Sequence, residues 1–307
     1  IKTIVFDKTG TITKGKPEVV GVYAVGSSEA GLLKIAGSLE RLSEHPIARA
    51  IVKKAGLVKP LKVKGFKAVR GRGIEGMIDR KRYVIGNDVL MKEKKILIIK
   101  LKKIIGRFES KGWTTMIVAE GKKAIGVIGV ADAVKKDSVL AISRLNNLGY
   151  KTVMITGDNE KTAEAIAKQV GIKKVIARVL PEDKSRRVRE LQREGMVAFV
   201  GDGINDAPAL KESNVGIAIG TGTDIAIEAG DIVLAKGSLI GVVQAINLSK
   251  ATFSKIKQNL FWAFFYNIVA IPLAIGGVLN PVVAEIAMAL SSITVVTNAN
   301  LLRRVRV

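Results

Sequence analysis

The sequence predicts a doubly wound α/β fold with a parallel sheet, split by a large insertion and followed by a pair of apolar helices. Three observations carry that reading. From Asp132 onward, short apolar runs alternate with helical stretches, the pattern of a β-α-β sheet covered on both faces. A matching first strand, Ile1 to Phe6, lies far upstream, so the segment between is an inserted domain. Near the C-terminus two long, almost uncharged stretches replace the mixed texture of the rest.

Taken in order, Ile1-Lys2-Thr3-Ile4-Val5-Phe6 reads as a buried strand ending in the Gly-containing loop Asp7-Lys8-Thr9-Gly10-Thr11. Lys16 to Val130 is Lys-rich and Gly-punctuated. Within it Glu29 to Ala55 has helical periodicity interrupted at His45-Pro46, and Lys62 to Gly86 reads as hairpin strands. Asp88 to Lys111 reads as one basic amphipathic helix, and Thr114 to Ala119 pairs with Ala124 to Val130. Beyond Asp132 the predicted helices are Ser138 to Leu148, Lys161 to Val170 and Lys184 to Arg193. The strands are Lys151 to Ile155, Val197 to Val200, Val215 to Ile219 and Ile232 to Leu234. The expected domains are therefore 1–15 with 131–240, the insertion 16–130, and a stalk and helical hairpin over 241–307.

Leu260 to Leu279 carries no formal charge and is about 20 residues long, enough to cross ~30 Å of hydrocarbon as a helix. After the turn Asn280-Pro281, Val282 to Leu302 repeats the pattern with one charge, Glu285. Lys250, Lys255 and Lys257 precede the first span, and Arg303, Arg304 and Arg306 follow the second. That bias places both ends in the cytoplasm and the Pro281 turn outside. The competing reading is a helical hairpin buried in a soluble core.

The 307 residues, 48% of them hydrophobic, suffice for roughly two or three domains. A net charge of +23, from 50 Lys+Arg against 27 Asp+Glu, would suit nucleic acid or an anionic membrane surface. Aromatics are only 5% and no nucleic-acid-binding motif occurs, so the membrane surface is preferred and no nucleic-acid partner is expected. The Lys excess also fits a thermophile's surface. With no cysteine, disulfides and thiolate metal sites within the chain are excluded. The chain opens inside a strand with neither Met nor signal peptide, and is expected to be part of something longer.

A carboxylate at the C-terminal end of a parallel strand is well placed to attack phosphorus, because ligands bind at that edge. Asp7 fits this description. Lys8 adds a cation, and backbone and hydroxyl groups around Thr9 can meet phosphate oxygens and metal. Three more loops accompany it: Ile155-Thr156-Gly157-Asp158-Asn159, Lys184 opening a helix, and Gly201-Asp202-Gly203-Ile204-Asn205-Asp206-Ala207-Pro208. Phosphoryl transfer needs in-line positioning and charge neutralisation. Thr156 and Lys184 can bind the equatorial oxygens, Asp202 with Asp7 can hold Mg²⁺, and Asn205 and Asp206 can orient the metal shell and loop. Each loop alone is also ordinary turn chemistry. Four of them in one alternating sheet favour the catalytic reading.

These residues resemble the phosphorylation domain of P-type ATPases, members of the haloacid dehalogenase-like superfamily. The resemblance implies that ATP phosphorylates Asp7 and that hydrolysis of the acyl phosphate drives alternation between transport states. The insertion resembles the nucleotide-binding domain of the heavy-metal branch at Ser43-Glu44-His45-Pro46-Ile47-Ala48, Gly71-Arg72-Gly73-Ile74-Glu75-Gly76 and Gly86-Asn87. It assigns His45 to adenine and Glu40 to a further nucleotide contact. Gly71 and Gly73 would admit close backbone approach. The G-x-G-x-x-G string lacks the strand-loop-helix context of a dinucleotide fold. Catalytic or ligand positions implied are thus Asp7, Lys8, Thr9, Thr156, Gly157, Asp158, Lys184, Asn205 and Asp206, with Glu40, His45, Gly71, Gly73 and Gly86 for ATP.

Tyr266-Asn267 sits mid-span in the first apolar helix, and Met288 and Ser292, four apart, share a face of the second. Thioether, phenol and amide oxygen suit a soft monovalent ion better than a hard divalent one. Met as filler and Ser as interhelical glue is the bland alternative. The pattern is similar to the copper(I) subgroup, silver(I) being its alternative cargo, and a pump for another heavy metal such as zinc is the rival within the family. The resemblance further implies Mg²⁺, a lipid bilayer, upstream membrane helices, an actuator domain and a copper chaperone as partners. Glu285 departs from the pattern, and reads as an exit-path carboxylate or an interfacial glutamate. A soluble haloacid dehalogenase-like phosphatase is the second rival. Thr9 stands where such phosphatases place a second carboxylate, which favours a long-lived phosphoenzyme.

Overall fold

The computed structural model describes residues 1–56, 59–202, 206–220, 228–277 and 280–304. Strand β1 (Thr3–Asp7) leads through the loop Lys8–Ile12 into β2 (Thr13–Ala24). Helices α1 (Glu29–Glu40) and α2 (Pro46–Ala55) follow, then β3 (Val63–Val69), β4 (Gly73–Ile78), β5 (Lys81–Gly86), α3 (Asp88–Glu93), α4 (Lys102–Glu109), β6 (Thr114–Glu120) and β7 (Lys123–Val134). The chain continues through α5 (Ser138–Asn147), β8 (Lys151–Ile155), α6 (Glu160–Val170), β9 (Lys174–Ile176), α7 (Lys184–Gln192), β10 (Val197–Gly201), α8 (Ala207–Glu212), β11 (Val215–Ile219) and β12 (Ile232–Leu234). Last come α9 (Ile240–Ile275) and α10 (Pro281–Asn300). Two compact units result, Ile1–Ile240 and Gly241–Val307.

The first unit holds two six-stranded sheets. One is wholly parallel, in the order β12-β11-β10-β1-β8-β9. Counted by appearance within the sheet this is the 3-2-1-4-5-6 arrangement, whose topological switch point lies between β1 and β10. All five residues of β1 and all five of β10 are buried, as expected for central strands covered on both faces. Val5, Val153, Val197 and Phe199 pack with Val188 and Leu191 of α7.

The second sheet is antiparallel, β2-β7-β6-β5-β4-β3. Its side chains alternate between two covered faces. Ile85, Val118 and Ile128 meet Leu32, Leu39 and Ile51 of α1 and α2. Val84, Ile117 and Val127 meet Leu90, Leu101, Ile105 and Phe108 on the side of α3 and α4. His45 caps α2 by accepting from the Ile47 amide through Nδ1 at 3.2 Å, with Pro46 in the first helical position, so the interruption expected there is a helix start.

Three local expectations change. The single helix over Asp88 to Lys111 is two helices: Lys95 turns the backbone at φ 54°, and Leu97 exchanges backbone hydrogen bonds with Lys122 and Ala124 while Ile96 is buried. Those bonds and that burial outweigh helix continuity. The long strand β2, to which the sequence reading assigns no element, pairs with β7. Its Lys, Gly and Pro obscure the period-two signal in a strand whose outer face stays exposed. The first apolar helix begins at Ile240, well before the charge-free stretch. The helices Ile240–Ile275 and Val282–Arg304 are long and apolar enough to cross a membrane, with none of their most apolar windows buried.

Candidate active site

Because parallel strands all end on one side, the loops after β1, β8 and β10 open onto one crevice. Asp7, the last residue of β1, is buried there. Its Oδ1 accepts from Lys184 Nζ at 2.6 Å, and the same ammonium donates to Asp206 Oδ1 at 2.6 Å. Burial works against the Lys184 charge, yet the two carboxylates override it and hold its pKa above the ordinary value. Burial, and then the Asp7 charge, push Asp206 up to about 7 against the pull of Lys184.

The neighbouring loop supplies a second, part-buried pair. Lys8 Nζ donates to Asp158 Oδ2, which also lies 3.3 Å from Thr156 Oγ1, while Asp158 Oδ1 accepts from Thr114 Oγ1 at 2.9 Å. Burial disfavours both charges, but each partner more than compensates: Lys8 is raised and Asp158 lowered. Gly157 and Thr9 are exposed at the rim. Gly10 adopts φ +77°, and a Cβ on it would stand 2.8 Å from Asp202 Oδ2, so the loop and that carboxylate are in contact only because the residue is glycine. Asn205, together with Gly203 and Ile204, lies outside the described residues.

The donor set fits Mg²⁺. Asp7, Asp202 and Asp206 come from the loops on either side of the switch point. Asp206 Oδ2 is buried without a hydrogen-bond partner among the described residues. No group of three carboxylate, imidazole or thiolate side chains forms a closed cage among the described residues. Mg²⁺ asks for less, taking one or two carboxylates and keeping several waters and phosphate oxygens.

The residues expected to hold nucleotide lie in two places. Glu40 ends α1, is 3% exposed, and lines a basic hollow of about 360 Å³ with Arg41, Ser43, Arg49, Val52 and Lys53. Burial pushes its carboxyl up to about 7. His45 is exposed nearby in sequence, its Nδ1 engaged by the cap. Gly73 and Gly86 oppose each other across β4 and β5, and a Cβ on Gly73 would meet the Ile85 carbonyl at 2.1 Å. Gly71 is held by Asn87 Nδ2 donating to its carbonyl at 3.2 Å. No hydrogen bond joins the two groups among the described residues. In the second unit, Tyr266 Oη lies 3.4 Å from Thr294 Oγ1, Asn267 donates to the Ala263 carbonyl, and Ser292 donates to the Met288 carbonyl. Met288 and Ser292 share an exposed face. The half-buried residues described on α10 are instead Ala284, Ala287, Ser291, Thr294, Val295 and Asn298.

Some contributors escaped sequence reasoning. Thr114 opens β6 in the insertion yet bonds Asp158 in the parallel sheet. Asp132 gathers the two strands that cross between the sheets, accepting from Thr13 Oγ1 at 2.6 Å and from the amides of Gly15 and Lys16. An isolated Thr or Asp carries no motif; only the pairing of β2 with β7, which sets Asp132 opposite Pro17 and within reach of Thr13, could have exposed it.

Comparison with known proteins agrees with this geometry. The haloacid dehalogenase-like hydrolase family matches residues 1–214. A copper-exporting P-type ATPase of Staphylococcus saprophyticus is 48% identical over 309 residues, covering 100% of this chain and 38% of the relative. A probable copper-exporting P-type ATPase V of Mycobacterium tuberculosis is 49% identical, covering 99% and 40%. The chain thus spans about two-fifths of the length of these curated relatives. Among solved structures, a zinc-transporting PIB-type ATPase in an E2.Pi state superposes with TM-score 0.71 at 36% identity, over 98% of this chain and 50% of that one. The catalytic domain of the CPx-ATPase CopB-B gives TM-score 0.61 at 31% identity, over 80% and 88%.

Proposed function

The chain belongs to the haloacid dehalogenase-like hydrolase family and, within it, to the P-type ATPases, and on that premise we propose that it is the ATP-consuming and final membrane portion of a copper(I) exporter. The observation that carries the proposal is the Asp7–Lys184–Asp206 cluster, a nucleophile at a central strand end sharing one buried ammonium with a second carboxylate. An Asp7 oxygen attacks the γ-phosphorus of ATP, the bond to the ADP oxygen breaks, and a mixed anhydride remains on the side chain. Lys184 and Thr156 neutralise and position the transferred group, Lys8 is fixed by Asp158, and Gly157 lets the loop approach closely. Mg²⁺, when bound, would be held by Asp7, Asp202 and the backbone at Thr9, with Asn205 and Asp206 orienting its shell, and supplies neutralisation of phosphate charge. Glu40, His45, Gly71, Gly73 and Gly86 are the proposed nucleotide contacts.

Copper(I) as cargo is supported by the higher identity to proteins named copper exporters than to the zinc-transporting neighbour. It is also supported by the thioether and neutral oxygen donors of Met288, Ser292, Tyr266 and Asn267. Residues 1–15 with 131–240 form the proposed phosphorylation domain, 16–130 the nucleotide-binding domain and 241–307 the membrane hairpin, cytoplasmic at both ends. Upstream membrane helices, an actuator domain and a copper chaperone complete the proposed assembly.

The test is acid-quenched labelling of the intact protein with γ-labelled ATP, with Cu⁺ or Zn²⁺ supplied in turn. Hydroxylamine-sensitive label on Asp7 and ATPase activity dependent on Cu⁺ are expected. Absence of label discards the pump, and stimulation by Zn²⁺ alone reassigns the ion.

A further inference from the structure

Four hydrogen bonds tie together segments that the chemistry at Asp7 does not itself require to touch. Lys135, in the turn between β7 and α5, donates from Nζ to the Gly10 carbonyl at 2.6 Å and to the Gly237 carbonyl at 3.0 Å. Two residues on, Asp137 Oδ2 accepts from Ser238 Oγ and from the Leu239 amide, the latter at 2.8 Å. Gly10 is the left-handed residue of the phosphorylation loop, in contact with Asp202. Gly237, Ser238 and Leu239 are the last residues before α9, the helix whose far end forms the first apolar span. Lys135 and Asp137 themselves sit where the chain returns from the insertion, secured by Lys135 and Ser138 bonding the Ile12 carbonyl.

The ammonium is thus shared between two backbone carbonyls, one three residues from the nucleophile and one three residues before α9. Bonds from a charged donor are the strong kind, and Lys135 is half-buried, so water does not readily replace them. Burial lowers the Lys135 pKa while Asp137, Asp202 and Asp132 act in the opposite direction, so its charge is anchored by carboxylates on both sides of the joint. Phosphorylation would add about two negative charges within reach of this loop. A shift of Gly10 or of Asp202 then changes what Lys135 can offer Gly237, while Asp137 fixes the register of the helix start.

We propose that Lys135 is a positioning residue joining the phosphorylation loop to the head of α9, so that the state of Asp7 biases the tether of the membrane-directed helix. This rests on the pump reading above. A physical coupling of this kind is a claim about an element both ends bias, not about proximity alone, and it needs a coupling measurement.

The experiment reconstitutes the intact protein in vesicles. It measures acyl phosphate from labelled ATP and Cu⁺ moved, expressed as metal per phosphorylated molecule, a ratio insensitive to the folded fraction. Lys135→Met is expected to keep phosphorylation within about threefold and to lower the ratio about tenfold, the usual scale of intersite coupling. Lys135→Arg restores most of it. Ser238→Ala, which touches only the helix side, lowers the ratio by a smaller factor. An unchanged ratio in Lys135→Met overturns the proposal, as does a fall in phosphorylation that accounts for all the lost transport. If Lys135→Met yields no folded protein, an unchanged ratio in Ser238→Ala overturns it. Failure of the unsubstituted protein to form acyl phosphate removes the pump reading, and the proposal with it.

Discussion

The two sheets of the first unit have the same number of strands and opposite ways of building a site. In the parallel sheet every strand points the same way, so Asp7, Asp158 and Asp202 leave successive strand ends into one crevice, where Asp206 joins them and Lys8 and Lys184 supply the balancing charge. In the antiparallel sheet neighbouring strands end on opposite sides, both faces are covered by helices, and the expected ligand positions scatter. Glu40 closes a helix, His45 opens one, Gly71 is in a turn, and Gly73 and Gly86 meet at the end of the β4–β5 ladder. The parallel sheet concentrates charge. The antiparallel one offers a rigid platform whose glycines serve backbone packing before they serve any ligand.

That contrast can be broken most decisively at Lys184. Lys184→Met leaves two buried carboxylates facing each other and should cut phosphoenzyme formation about a thousandfold in rapid-quench assays, the scale seen when a preorganised charge partner is removed. A loss under tenfold would mean the edge does not act as one charge-balanced unit. Next in size is Gly73→Ala. Its Cβ would lie 2.1 Å from the Ile85 carbonyl and 2.6 Å from Gly86 Cα, so unfolding stability should drop by about 3 kcal/mol. Weaker ATP binding with unaltered denaturant unfolding would instead assign the glycine to the nucleotide.

Glu40 sharpens the same point through pH. Its carboxyl, ordinarily near 4.5, is raised to about 7 by burial, so the folded state holds the proton more tightly than the unfolded state. Stability is therefore full below the unfolded value and falls as pH rises through about 7, by about 3 kcal/mol in all. Glu40→Gln should flatten that decline in melting curves, and an unchanged slope contradicts the burial account. Smallest is Arg178→Gln. Arg178 bridges Asp88 of the insertion and Glu160 of the parallel sheet, but it is 39% exposed and its partners 42% and 59%. Its loss should cost about 0.5 kcal/mol and vanish in high salt. A larger, salt-resistant effect would make the contact between the sheets a structural joint.

What was legible in the sequence follows the same division. Asp7-Lys8-Thr9-Gly10, the Thr156 loop and Lys184 are contiguous signals because a strand-to-helix loop is contiguous, and the alternation after Asp132 orders the sheet. Thr114, Asp132 and Lys135 were not legible, since each acts on a partner brought near only by pairing of distant strands. The division of the Asp88 to Lys111 segment depends on Leu97 finding the β6–β7 turn, a contact that helical periodicity cannot express. In the hairpin, spacing correctly puts Met288 and Ser292 on one face. Which face meets α9 depends on the small residues Ala284, Ala287 and Ser291, which single-residue chemistry passes over.

The isolation of β1 from its neighbours has a consequence for biosynthesis. Thr3 aligns with Lys151 on one side and Val197 on the other, so the central strand has no partner until most of this region has left the ribosome. At about 5–20 residues per second that is roughly eight to thirty seconds before β8 appears. The insertion closes its own sheet once β7 pairs with β2, before β8 has been made, and can fold during that interval. It would then bring the Asp132 carboxylate to Thr13 and hold the ends of β1 and β8 ready for alignment. An excursion that looks like an interruption in the gene would serve as the jig on which the parallel sheet is assembled.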